Sequence, residues 1–105
     1  MSTPPAYIVI AHHHVREGDG DTVAAALGEH RVATLAEEGC LGFTTQRSIA
    51  DPSSFAMVET YRSQADWDAH QQTPHYQKYV VGIIKPLLAR REVDFYRPLT
   101  GPELE

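Results

Sequence analysis

A single cysteine in 105 residues, Cys40, excludes an internal disulfide framework and any cysteine-rich zinc site. Positive charge is also scarce. Nine Lys and Arg stand against fourteen Asp and Glu, and the net charge is −5. That balance, with the basic residues scattered, argues against a nucleic-acid partner and a polybasic membrane contact. No apolar run approaches the ~18 residues that a membrane-crossing helix needs. Met1–Pro5 is not expected to be a signal peptide, so the expected location is cytoplasmic. A Gly-rich phosphate loop, a dinucleotide fingerprint, a serine elbow and an HExxH helix are all missing. What is there is one domain's worth of chain, able to bury ~60–65% of its unfolded surface. The domain is expected over residues 6–99, with loose termini at 1–5 and 100–105. Histidine is abundant: six in all, three of them consecutive.

The pattern alternates strands and helices. Tyr7 to Val15 is β-branched at its start and reads as a strand, broken at Gly18–Asp19–Gly20. Asp21 or Thr22 is positioned to cap a helix whose stripe is Val23, Leu27, His30 and Thr34, ending at Gly39. His30 stands on that stripe where a hydrophobe is expected. Cys40 to Ile49 and Phe55 to Arg62 read as a hairpin turning at Asp51–Pro52–Ser53–Ser54. Ser63, with Asp66 three residues on, opens a short helix to about Gln72. Thr73–Pro74 starts another, with the stripe Tyr76, Val80, Ile83 and Leu87 and a stop or kink at Pro86. Glu92 to Arg97 is a last strand.

The order β-α-β-β-α-α-β predicts an α+β fold, a ferredoxin-like antiparallel four-stranded sheet with helices on one face. Strand alternation puts Tyr7, Val9, Ala11, His13 and Val15 on one face, with Phe55, Met57, Glu59 and Tyr61. Ile8, Ile10, Val58 and Tyr96 are left for the other face, where they form an uncovered apolar patch. A homodimer packed sheet against sheet is therefore expected.

Several signals carry less chemistry than they suggest. His12 and His14 share a face ~6.6 Å apart, with no nearby third ligand, and read as polar residues of the dimer interface. No metal site is expected. Asp19-x-Asp21 mimics a calcium loop but has His30 where the bidentate Glu belongs. Cys40 reads as a small buried hydrophobe. His13 lies on the helix-covered face, as either a satisfied core residue or a pocket residue.

Glu59 is the most informative position, because an unpaired carboxylate between Met57 and Tyr61 costs several kcal/mol. It needs a partner: an ion pair holding a helix to the sheet, or a histidine that it orients as a base. Trp67 and His70 share a helix face, and His75 follows in the next helix's first turn. Phe43, Tyr61, Trp67, Tyr76 and Tyr79 supply aromatic walls for a pocket.

The run Phe55-Ala56-Met57-Val58-Glu59-Thr60-Tyr61, then Ala69-His70-Gln71-Gln72-Thr73-Pro74-His75-Tyr76, resembles the antibiotic biosynthesis monooxygenase family. Glu38-Gly39-Cys40-Leu41-Gly42-Phe43 and Asp51-Pro52 fit the same pattern. The resemblance implies a dimeric α+β barrel of ferredoxin-like protomers. It further implies oxygenation of quinols or aromatic polyketides without metal, flavin or haem. One branch of the family instead processes a phosphorylated autoinducer, and another degrades haem. The haem branch expects Asn, Trp and His where this chain has Ala11, His70 and Val80.

The expected function is a cofactor-independent monooxygenase that joins O2 to an electron-rich phenol, quinol or anthrone. His70 is the expected base or oxyanion partner, Glu59 its orienter, and His75 and His13 further polar groups, with Trp67, Tyr61, Tyr76 and Phe43 as walls. Arg97 is a candidate for binding an anionic oxygen. The alternatives are an isomerase or lyase acting on a small phosphorylated ketose, and a non-catalytic dimeric ligand-binding module.

Overall fold

In the computed structural model residues 6–104 are described; the expected loose lead, 1–5, lies outside them. The chain forms β1 (Tyr7–Val15), α1 (Gly20–Leu35), β2 (Cys40–Arg47), β3 (Ser54–Tyr61), α2 (Gln64–His70), α3 (Tyr76–Ile84) and β4 (Leu88–Tyr96). The strands pair antiparallel in the order β2-β3-β1-β4. This is the ferredoxin-like α+β architecture the element order predicts. Two crossovers, one through α1 and one through α2 and α3, place the hairpin strand β3 beside β1.

Alternation divides the sheet as expected. Val9, Ala11, His13, Phe55, Met57, Glu59 and Tyr61 are buried beneath the helices, while His12 and Val58 on the opposite face are exposed. Cys40 is half-buried and its Sγ contacts the Gly42 carbonyl. The hairpin turn is held by Asp51, whose carboxylate accepts from the Ser53 amide at 3.0 Å and the Ser54 hydroxyl at 3.1 Å.

Element ends depart from expectation for local reasons. Helix α1 begins at Gly20, with Asp19 rather than Asp21 or Thr22 at the cap position, after a left-handed Gly18 at φ 90°. It ends at Leu35, before Gly39; Gly39 serves instead as a close-approach point, where a Cβ would overlap the Asp66 carboxylate. β2 stops at Arg47, leaving Ile49 in solvent, and α2 stops at His70 rather than Gln72. β4 starts four residues before Glu92, because Leu88, Arg90 and Arg91 pair with β1 across an irregularity at Ala89.

The last helix is the larger correction. The predicted stripe Tyr76, Val80, Ile83, Leu87 assumes α-helical spacing, but α3 is a π-helix that buries Tyr76, Val80 and Ile84. The Lys85 amide reaches back five residues to the Val80 carbonyl, and in this winding Ile84 is fully buried while Ile83 and Leu87 pack half-buried against the core. A 3-10 turn at Lys85–Leu87, carrying Pro86, then delivers the chain into β4. The tail is not loose through residue 104. Gly101–Leu104 forms a 3-10 turn, and Arg97 holds Glu103 through bonds of 2.7 and 2.8 Å. Arg97 is thereby committed to Glu103 rather than presented to a ligand.

Candidate functional site

Each contributor is placed by its element. Helix α1 presents His30 from its buried stripe, 2% exposed, and the segment after α1 carries Glu37. β3 delivers Glu59 and Tyr61, two residues apart on the inner face. Helix α2 is capped by Ser63, which accepts from the Asp66 amide at 3.2 Å, and ends on His70 with Trp67 one turn earlier. Thr73 fixes the corner that follows. Its hydroxyl donates to the His70 carbonyl at 2.7 Å and accepts from the Tyr76 amide at 3.2 Å. That corner sets His70 and His75 side by side.

Both histidines meet one carboxylate oxygen. His70 Nδ1 lies 2.7 Å and His75 Nε2 lies 2.6 Å from Glu37 Oε2. With Glu37 as acceptor, His70 donates from Nδ1 and keeps the Nε2 lone pair for its other side. On that side Glu59 Oε1 stands 4.0 Å away, too far for a hydrogen bond, and accepts instead from the Tyr61 hydroxyl at 2.6 Å. Glu59 is therefore bonded to Tyr61, and the contact expected between Glu59 and His70 is replaced by Glu37. His70 itself is boxed by rings: Trp67 stacked at 5.6 Å, Tyr61 at 5.3 Å, Tyr76 edge-on at 5.2 Å and His30 at 5.2 Å.

Burial sets the electrostatics. It raises the Glu59 carboxyl to about 7, against the Tyr61 hydroxyl and the Arg91 charge, which both favour ionisation. Burial likewise raises the Tyr61 and Cys40 groups. It lowers His70, with the Glu37 hydrogen bond pulling the other way. His13 falls to about 3 through burial and then the neighbouring Arg91, and His30 to about 3 through burial and then His70. The interior thus holds neutral imidazoles beside a carboxyl poised near neutrality.

These groups surround a void of about 20 Å³, room for about one water molecule. His13, Phe43, Glu59, Trp67, His70 and Tyr76 line it, as do His30 and Arg91. Of the expected site residues, Tyr61 stands behind Glu59, and His75 binds Glu37 away from this lining. Three buried polar atoms among the described residues have no protein partner: His13 Nδ1, His30 Nδ1 and the Tyr76 hydroxyl. All three belong to residues lining this one void.

Sequence reasoning misses Glu37, which has no motif around it, and Arg91, which precedes the strand as first drawn. Arg91 donates to His13 Nε2 at 3.3 Å. His30 is marked only as a polar break in a stripe. Among the described residues, those able to hold a metal, a group the sequence reading does not expect, are Glu37, His70 and His75, whose donor atoms lie within 4.8 Å of one another. The His12–His14 run divides as expected: His14 bonds Glu92 at 3.1 Å and Ser54 at 3.2 Å on the outer face. Asp21, of the mock calcium loop, pairs with Arg47 at 2.8 Å.

Solved structures share this fold over almost their whole length. PA3566 of Pseudomonas aeruginosa is 24% identical with a TM-score of 0.87, over 95% of this chain and 100% of its own. Rv0793 of Mycobacterium tuberculosis is 28% identical with a TM-score of 0.83, over 92% and 98%. A provisionally assigned antibiotic biosynthesis monooxygenase of Nitrosomonas europaea is 23% identical with a TM-score of 0.86, over 94% and 96%. No curated protein matches the sequence. The model of the antibiotic biosynthesis monooxygenase family matches residues 6–81, the span from the first strand into α3 that carries His13, His30, Glu37, Glu59, His70 and His75. The chain belongs to the antibiotic biosynthesis monooxygenase family.

Proposed function

We propose that the protein is a cofactor-independent monooxygenase that oxidises a quinol, phenol or anthrone-type substrate with O2. The observation that carries this reading is one aromatic-walled void lined by His70 and by the three residues whose buried polar atoms lack a protein partner. Each buried polar group left unbonded costs about 1–3 kcal/mol, so a ligand that bonds them recovers that energy. His70, held by Glu37 through Nδ1, takes the substrate's acidic proton at Nε2. The resulting electron-rich anion passes an electron to O2, and the two radicals recombine at carbon. Loss of water then leaves a new carbonyl: a CH2 and O2 become C=O and H2O, with all electrons from the substrate. Tyr76 and His30 supply hydrogen-bonding groups beside the developing oxyanion. Trp67, Phe43 and Met57 keep the cavity dry.

The void admits dioxygen or water but not an aromatic ring, so substrate entry displaces lining side chains. The sheet's outer face supports the homodimer reading. Val58 and Tyr96 are 38% and 50% exposed there, next to half-buried Ile8 and Ile10. The phosphorylated-ketose alternative has less support: Arg91 is the one cation lining the void, and it donates to His13.

Oxygen uptake by EDTA-treated protein over a panel of quinols and anthrones tests the proposal. Uptake with at least one substrate, lost in His70→Ala, is the expected result. No uptake on any substrate, or undiminished uptake in His70→Ala, overturns it. Proton exchange on a phosphorylated ketose without oxygen, or tight binding of an aromatic without turnover, would establish the isomerase or the binding module.

A further inference from the structure

The oxygenation scheme uses one contact of Glu37, its bond to His70; the second histidine on the same oxygen is surplus to it. His70 Nδ1 and His75 Nε2 stand 2.7 and 2.6 Å from Glu37 Oε2, and the three donor atoms lie within 4.8 Å of one another. We infer that Glu37, His70 and His75 form a binding site for a divalent transition-metal ion of the zinc type.

The donor chemistry selects that class. Two imidazoles and one carboxylate form a set that leaves a coordination position open, whereas calcium and magnesium take oxygen ligands. Tetrahedral bonds of ~2.0–2.1 Å hold donors roughly 3.3 Å apart, so each histidine nitrogen must draw back about 0.6 Å from the Glu37 oxygen. The side chains able to give are Glu37 and His75, 15% and 18% exposed, while His70 is fixed at 1%. The same exposure provides the ion's path from solvent.

The surroundings match a metal site's supporting groups. A histidine ligated through Nδ1 carries its proton on Nε2, and there Glu59 Oε1 faces it at 4.0 Å. A carboxylate hydrogen-bonded behind a ligating histidine is the common supporting arrangement, and an approach of about 1 Å would close this contact to such a bond. The His30 ring packs 5.2 Å from His70 and 5.5 Å from His75, and its buried Nδ1 has no protein partner. The ion and the catalytic base exclude each other, because metal on Nδ1 leaves Nε2 protonated. The site does not depend on the oxygenase reading, and its test requires no quinol.

The full-length protein, stripped with EDTA, is titrated with Zn2+ by calorimetry and with Co2+ by visible absorption. One ion per chain, with an intense tetrahedral-type Co2+ spectrum, is expected. Nitrogen NMR of the wild type is expected to show Zn2+ shifting the His70 and His75 ring signals, a readout independent of whether variants fold. Glu37→Gln and His75→Gln should each weaken binding about a hundredfold or more, and Glu59→Gln about tenfold to a hundredfold. A His12→Gln/His14→Gln double variant should bind as the wild type does. The inference is overturned by no binding at millimolar metal, by ring signals of His70 and His75 that stay put, or by loss of binding in the double variant.

Discussion

His70 has a different environment at each ring nitrogen, and that asymmetry lies at the centre of the account. Nδ1 is fixed by a carboxylate at 2.7 Å, while Nε2 faces a void and a carboxyl raised to about 7. Removal of the ring by His70→Ala should cut the quinol rate about 10²–10⁴-fold, the usual contribution of a positioned base. Glu37→Gln, which breaks the orientation but keeps the shape, should cut kcat more than it raises KM; steady-state kinetics separate the two. His13 gives a stability prediction. Its ordinary value of 6.5 falls to about 3 in the folded protein, so between those values the unfolded chain binds a proton that the native one does not. Stability should therefore fall as pH drops from 6.5 towards 3, by up to about 1.4 kcal/mol per pH unit for this group. Urea titrations across that range should show the slope, reduced in His13→Gln. A profile identical in the variant would contradict the burial of a neutral ring.

At the scale of elements, Thr73 joins α2 to α3 and sets both histidines at once. Thr73→Val removes two hydrogen bonds while conserving shape, at a cost of about 1–2 kcal/mol. Urea melts should show that loss, and quinol turnover should drop because His70 and His75 lose their register. The elements also show what a linear pattern can carry. Strand alternation in Tyr7 to Val15 and Phe55 to Tyr61 placed His13 and Glu59 on the inner face correctly, because a period of two is rigid. The stripe in α3 holds at Tyr76 and Val80, while the wider winding buries Ile84 fully and leaves Ile83 and Leu87 half-buried against the core, a shift that spacing alone does not reveal. Glu37 was illegible for a related reason. It sits outside any periodic element, and its partners His70 and His75 are 33 and 38 residues away. His30 left a trace, a polar residue on an apolar stripe, but the trace held no information about which rings it would meet.

For the whole molecule, the sheet leaves one face without helices. Ile8, Ile10, Val58 and Tyr96 occupy it, and covering them by a second copy is the proposed solution to a small protomer's limited core. Sedimentation velocity at micromolar concentration should give a dimer, and Val58→Lys should shift it towards monomer. A wild-type monomer would remove the dimer from the account while leaving the buried site in place, since every group lining the void comes from one chain.

The central claim is that this void oxygenates carbon with no oxidant but O2. The direct measurement is mass spectrometry of the product formed by metal-free protein under isotopically labelled dioxygen. One labelled oxygen in the product carbonyl and the other in water are expected, with labelled product from His70→Ala formed about 10²–10⁴-fold more slowly. Product without label, or labelled product formed equally by His70→Ala, would contradict it.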